Sequence, residues 1–355
     1  MILSQVKHMK QFFLPETGGA FKANLHCHST VSDGWLTVEE IKSHYMKHGY
    51  SIVAFTDHDV LLDHSDLNEA GRFLALNGYE MEVNEQGFSG LKSGDLTFGS
   101  GKTAHMCLIA LSPDNLTQVC YHRDRYIWGN ARAYIPTLKF DRDDYERVYS
   151  HEGVSEMMRL GREHGFFVTY NHPTWSMESY PDYSGYENMH AVEIWNTGCE
   201  RIGYDEYDCH CFDDLLRLGK RVYALATDDN HNGQPLESPL DDSCGGWVVI
   251  RCGKLDYTCV TDALLRGSFY ASTGPEIKSL WAEDGLLHVT TSPAHRINFI
   301  TGARHTGSAG AHRSETVSGA SFRFDPARDG YVRVEVIDAH GERAVSNPVW
   351  MDELN

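Results

Sequence analysis

Apolar runs that end in histidine and carboxylate recur along the first three quarters of this chain, and that recurrence limits the folds open to it. The run through Leu25 stops at His26-Cys27-His28, followed by Ser32-Asp33-Gly34, and Ser51 to Thr56 runs straight into Asp57-His58-Asp59. Gly78-Tyr79-Glu80 lies in a third run, and His105 precedes Met106 to Leu111. Phe166 to Tyr170 ends in Asn171-His172-Pro173, and Val222 to Ala226 meets Asp228-Asp229-Asn230-His231. Runs of this length and composition read as buried strands. Two histidines at i and i+2 on the last residues of a strand can both turn into one site, where neutral imidazoles suit Zn, Mn or Fe. A single such pair arises easily by chance, but repeated ligands beside successive strands do not.

Helix signals fill the gaps. Thr37 with Glu40 forms a capping box that predicts a helix carrying Val38, Ile41 and Tyr45 on one face and closed by Gly49. Val154 to His164 with Gly165, and Asp208 to Leu218 with Gly219, repeat the order of helix, glycine and strand. This rhythm predicts an α/β fold with a parallel sheet and helical crossovers. Function in such sheets gathers at the carboxyl ends of the strands. Six or more strand ends meeting at one centre favour a closed or nearly closed TIM-like barrel over an open sheet. Glu80 and His105 fall nearer strand middles or starts.

From Asn84 to about Ser150 the rhythm weakens. Gly87, Gly90, Gly94, Gly99 and Gly101 mark turns, and a polar aromatic stretch with His122, Arg123, Arg125, Tyr126 and Trp128 follows. This reads as an insertion over the site, either a substrate-gripping lid or a solvated excursion. After Gly274-Pro275 come short alternating runs: Ile277 to Trp281, Leu286 to Thr290, Arg296 to Thr301, Ser321 to Phe324 and Tyr331 to Ile337. The chain therefore divides into a first domain over 1–275, with the insertion at about 84–150, and a small all-β sandwich over 276–355.

Composition narrows the partners. The 355 residues include 31 basic and 50 acidic side chains, a formal charge of −19, which disfavours nucleic acid and anionic membranes as non-specific partners. Nine cysteines without regular spacing point to a reduced compartment rather than a disulfide framework. Met1 to Pro15, with Lys7, His8, Lys10 and Gln11, offers no apolar stretch for a signal peptide, and a cytoplasmic protein is expected. Self-association is left open. Cys209-His210-Cys211 falls in a helix, where i and i+2 point apart, and Gly101-Lys102-Thr103 lacks a phosphate loop's first glycine because Leu96 stands there.

Taken together, His26-x-His28 with Asp33, Thr56-Asp57-His58, Gly78-Tyr79-Glu80, His172-Pro173 and Asp229-x-His231 resemble, in order, the motifs of the PHP (polymerase and histidinol phosphatase) family of metal-dependent phosphoesterases. The resemblance covers roughly residues 20–275, and Phe269 to Pro275 with the tail from Asp338 to Trp350 is similar to two-domain members that carry a C-terminal β-sandwich. It implies a distorted (β/α)7 barrel with two or three divalent ions (Zn, Mn or Fe). One ion would be held by His26, His28, Glu80 and Asp229, a second by Glu80, His105 and His172, and a third by Asp33, His58 and His231. The residues alone leave Asp228 and Asp229 as alternatives, and the family's Asp-x-His spacing selects Asp229, with Asp228 supporting. Asp57, Glu193 and Asn196 would support the ligands or touch substrate.

Ions roughly 3.5–4 Å apart can hold a hydroxide nucleophile at neutral pH while neutralising the oxygens of a phosphate ester, so no nucleophilic side chain is required. Arg123, Arg125, Arg132 and Arg201 are the candidates to grip the phosphate, each also readable as a solvated surface arginine. The expected activity is hydrolysis of a small phosphorylated molecule such as a nucleotide or sugar phosphate. Two other readings stand beside it: a carboxyl-ester or carbamate hydrolase on the same centre, and a metal-stabilised binding protein without turnover.

Overall fold

The computed structural model describes residues 10–85, 101–205, 207–312 and 315–354. Lys7, His8, Gly87, Gly90, Gly94 and Gly99 lie outside the described residues.

The apolar runs become strands β1 (Gly19–Asn24), β2 (Ile52–Phe55), β3 (Leu74–Asn84), β4 (Thr103–Ala110), β5 (Phe166–Tyr170), β6 (Ala191–Asn196) and β7 (Tyr223–Thr227). β2 and β5 are buried at every position, as strands covered on both faces must be. Helix α1 (Val38–Lys47) begins at Thr37, whose side chain accepts from Glu40 N while Glu40 reaches back to the Thr37 N–H. Beyond the helix, Gly49 takes φ 78°, a left-handed turn that favours glycine. Helices α2 (His151–Glu163) and α3 (Cys209–Arg217) precede β5 and β7. The links from β2 to β3 and from β7 to β8 (Trp247–Cys252) hold no α-helix among the described residues, so the expected strand–helix alternation is incomplete.

β1, β2 and β3 pair parallel, as do β5, β6 and β7, whereas β4 runs antiparallel to both of its neighbours, β3 and β5. All six parallel strands therefore point the same way. The start of the reversed β4 lies level with their carboxyl ends, which is why His105 sits near a strand start: it pairs with Glu82 on β3.

Of the closed or nearly closed forms open to the distorted (β/α)7 barrel expected from the sequence, a closed sheet is not found among the described residues. The pairing gives an open sheet of 14 strands, on which β7 is an outer strand. Only the extensions of β1 and β7 meet, where Asp229 N–H donates to His26 O (3.0 Å) and His28 N–H to Asn230 O (3.1 Å). Past β1 the sheet continues antiparallel through β8, β9 (Phe269–Ser272) and part of the last quarter of the chain. That quarter adds β10 (Ile277–Glu283), β11 (Leu286–Ala294), β12 (Arg296–Thr301), β13 (Gly307–Gly310), β14 (Val317–Arg323), β15 (Tyr331–Ile337), β16 (Arg343–Ser346) and β17 (Val349–Trp350). β10, β11 and β14 form a second sheet, joined by Gln11–Phe12 along β10. Leu280, Val289, Phe299, Val334 and the N-terminal Leu14 fill the space between the layers.

Arg333 on β15 is fully buried and reaches α3, its Nε and a terminal nitrogen donating to the two oxygens of Asp213 at 2.7 and 2.9 Å. Removing one partner of a buried pair leaves the other charge uncompensated. Asp213→Ala should therefore destabilise the fold by about 3–5 kcal/mol in denaturant titration.

Glu178 is a second buried charge, with Tyr149, Tyr170 and Tyr186 all donating to its carboxylate. Burial outweighs those bonds and raises its pKa from 4.5 to about 7. The folded state thus keeps a proton that the unfolded chain has lost, so the contribution is full below pH 4.5 and fades up to about pH 7. Melting curves of Glu178→Gln should gain on wild type as pH rises through that window, whereas a constant difference would contradict the shift.

Candidate metal centre

Nine side chains from seven chain segments converge where β1, β2, β5 and β7 end. His26, His28, Glu80 and Asp229 form one group, Glu80, His105 and His172 a second, and His28, Asp33, His58 and His231 a third, with the donor atoms within each group no more than 4.8 Å apart. All nine expected ligands are thus brought together in the expected sets, and His28 joins the third set as well. Glu80 lies at the middle: its Oε1 is 3.1–3.4 Å from His26, His105 and His172, and its Oε2 is 3.3–3.4 Å from His28 and His58. Asp229 Oδ1 is 3.2 Å from His26 Nε2 and 3.0 Å from His28 Nε2.

A buried cluster of imidazoles and carboxylates facing one another is a donor set for cations. His28 Nδ1 is buried and lacks a hydrogen-bond partner, a state that costs free energy unless another group satisfies it. Burial alone would push the His26 imidazole's pKa down, but Asp229, Glu80 and Glu193 raise it well above the ordinary value. His28 behaves likewise through Asp229 and Glu80, and His105 is driven up to about 10 by Glu80 and Glu82. Burial would raise Glu80 and Asp229, yet the histidines hold both well below the usual carboxylate range. Each carboxylate demands positive charge here. Nitrogen and oxygen donors of this kind, without a cysteine among them, fit Zn, Mn or Fe.

The supporting residues fix the ligands by their backbones and their far nitrogens. Glu193 Oε1 lies 2.7 Å from His26 Nδ1 and its Oε2 accepts from His172 N–H, so the opposite nitrogen of His26 faces the cluster. Asn196 Nδ2 donates to Glu193 and to Asp229 Oδ2. Asp57 points away from the donors and accepts from the backbone and hydroxyl groups of Ser29 and Ser32, holding the loop that carries Asp33. Asp228 also turns away, accepting from Tyr45 OH and from Cys244, Gly245 and Gly246 N–H. Asp229 is therefore the residue of the pair that reaches the cluster. His172 (φ 27°) and Asp229 (φ 50°) occupy strained left-handed backbone, a cost borne where side chains must be aimed. A Cβ on Gly34 would come within 2.7 Å of His28 O, and one on Gly198 within 2.8 Å of Asp229 O, so both sites require glycine.

The arginines expected to grip substrate have other partners. Arg123 pairs with Asp144, Arg125 with Glu146, and Arg201 with Glu200; the first two and Arg132 are exposed. Other neighbours of the site were not expected. Glu82 sits 3.1 Å from His105 Nε2, Asn171 Nδ2 donates to Glu80 Oε1 at 2.9 Å, and Asp242 accepts from His231 N–H. Arg147, near the end of the insertion, is buried against Asp59, beside His58. Trp128 lies 5.7 Å from the His58 ring, and Trp175 about 5 Å from the rings of His105 and His172. Glu82 follows Glu80 at a strand's period of two, a signal present in the sequence; Trp128 lies in the polar aromatic stretch read as an insertion over the site, whereas nothing local in sequence marks Arg147 or Trp175.

Neither a protein-family model nor a curated protein sequence matches the chain. Solved structures do. The chain is similar to PHP-like two-domain proteins. One, from Bacteroides vulgatus, contains a predicted PHP-like metal-dependent phosphoesterase; it is 16% identical over 92% of this chain and 94% of its own, with a TM-score of 0.43. A second, from Bifidobacterium adolescentis and named by inference a metal-dependent phosphoesterase, is 15% identical over 65% of this chain and 94% of its own (TM-score 0.38). An amidohydrolase from Chromobacterium violaceum, with bound sulfate and no metal, is 16% identical over 62% and 93% (TM-score 0.36). Identities and scores this low transfer no activity.

Ions that bind only the folded chain stabilise it by mass action, about 2.7 kcal/mol at a hundred times the dissociation constant. Chelation should lower the melting temperature and added Mn or Zn should restore it; a melting temperature indifferent to both would remove the case for metal.

Proposed function

We propose that the chain is a metal-dependent hydrolase acting on a small phosphate ester, its centre held by His26, His28, Asp33, His58, Glu80, His105, His172, Asp229 and His231. The observation that carries this reading is the grouping of those donors into three sets that share Glu80 and His28, with the buried His28 Nδ1 left unsatisfied. Divalent ions there would supply Lewis acidity and bring the pKa of a bound water towards neutrality. The three ligand carboxylates cannot balance three divalent ions, so an anionic substrate is electrostatically favoured.

The protein's own contribution is orientation and access. Glu193 and Asn171 hold His26 and Glu80 in place, so the donors need little rearrangement. His231 and Asp33 are the most solvent-facing ligands, with side-chain exposures of 36% and 26%, which makes their side the approach for substrate. Trp128, against His58, stands beside that approach, and Trp175 packs on the other side against His105 and His172. Residues 276–355 contribute no donor among the described residues, so we assign the chemistry to 1–275.

The pairing of Arg123, Arg125 and Arg201 with acids favours a second reading, hydrolysis at a carboxyl ester or carbamate, for which no phosphate clamp is needed.

Phosphate release from a panel of monoesters and diesters, run beside an aryl carboxyl ester with Mn or Zn present, separates the two. Outer partners of metal ligands cost 10–100-fold when removed, and a direct donor should cost at least as much. His58→Ala should therefore lower turnover about a hundredfold or more while leaving the melting curve of the chelator-treated protein near that of wild type. Full turnover in that variant would overturn the assignment.

A further inference from the structure

A second group of metal-binding side chains lies outside this centre and shares no residue with it. His44 on α1 and His48 just beyond its end are one turn apart on the same helix face, with ring centroids 4.6 Å apart. Cys244, on the turn before β8, completes the group, and the donor atoms of the three residues lie within 4.8 Å of one another. His44 is 7% exposed, and its Nε2 is buried without a hydrogen-bond partner. A buried polar nitrogen with nothing to bond is rare and costly in a folded protein. His48 Nδ1 is engaged with His44 O at 3.0 Å, which fixes that ring and leaves Nε2 as its outward donor. The position of Cys244 is set from behind, because its N–H and those of Gly245 and Gly246 all donate to Asp228.

We infer that His44, His48 and Cys244 bind one thiophilic divalent ion of the zinc type, at a site separate from the multinuclear centre. Two imidazoles and a thiolate are borderline-to-soft donors that select Zn over Mg or Ca, and three protein ligands leave a fourth position for water. On binding, the Cys244 thiol releases its proton to solvent and each imidazole coordinates in its neutral form. The bound ion ties the end of α1 to the turn whose backbone anchors Asp228, next to the ligand Asp229.

Cobalt(II) tests this independently of any turnover, because only a thiolate ligand gives an intense near-ultraviolet charge-transfer band, and the grouped donors of the main centre include no cysteine. The full-length protein titrated with Co(II) should develop that band. Cys244→Ser and His48→Ala should each abolish it and lower the bound metal by one equivalent, while Cys107→Ser, which alters the thiol bonded to Asn171 beside the main centre, should leave the band in place whatever it does to metal binding there. His48 is only half-buried, so its variant tests the site even if Cys244→Ser fails to fold. Absence of the band in the wild-type protein, its persistence in His48→Ala, or its loss in Cys107→Ser would overturn the proposal.

Discussion

One carboxylate faces five imidazoles. Glu80 sits in the interior of β3, and its two oxygens lie within 3.4 Å of His26, His28, His58, His105 and His172. A buried carboxylate is tolerated only where opposite charge meets it, and here every route to that charge passes through residues contributed by other strands. The alignment of β1, β2 and β5 with β3, and the reversal of β4 that lets its first turn of chain reach the same level, are what bring those rings to it. The rest of the site follows from this arrangement, since Asp229 comes into reach only where the extensions of β7 and β1 exchange two backbone hydrogen bonds.

Around the donors lies a layer of polar residues that immobilise the backbone on either side; one of them, Glu193, also falls within donor distance of His26 and His172. Asp57 secures the loop after β1, Asp228 the turn before β8, Asp242 the segment at His231, and Glu193 the start of the loop after β5. Short loops at the ends of strands are otherwise mobile. Anchoring them through carboxylates that accept several N–H groups gives the precision a multinuclear centre needs.

Much of this could be read from the chain. The capping box at Thr37 and Glu40, the strands Phe166 to Tyr170, Arg296 to Thr301 and Tyr331 to Ile337, and the convergence of the nine donors all follow local patterns of period and punctuation. Residue type alone leaves Asp228 and Asp229 equal, because neighbours differ only in which way the chain turns; the family's Asp-x-His spacing selects Asp229, the one whose carboxylate reaches the cluster. Closure of the sheet was over-read: a strand-end series implies convergence, yet convergence here needs only two bridging hydrogen bonds and not a full ladder. The acid that pairs with Arg123 is not marked in sequence either, since Asp144 lies 21 residues away. Ion pairing at that separation leaves no periodic trace in sequence.

The large sheet does not stop where the composition changes. β9 gives one edge to β8 and the other to β16, and the Gln11–Phe12 segment crosses back to line β10. A chain cut at residue 275 would therefore bare the hydrogen-bonding edge of β9 and strand Leu14 outside any apolar layer. Exposed edges of that sort recruit other chains, so the C-terminal layer also acts as a guard against aggregation for the half that carries the donors.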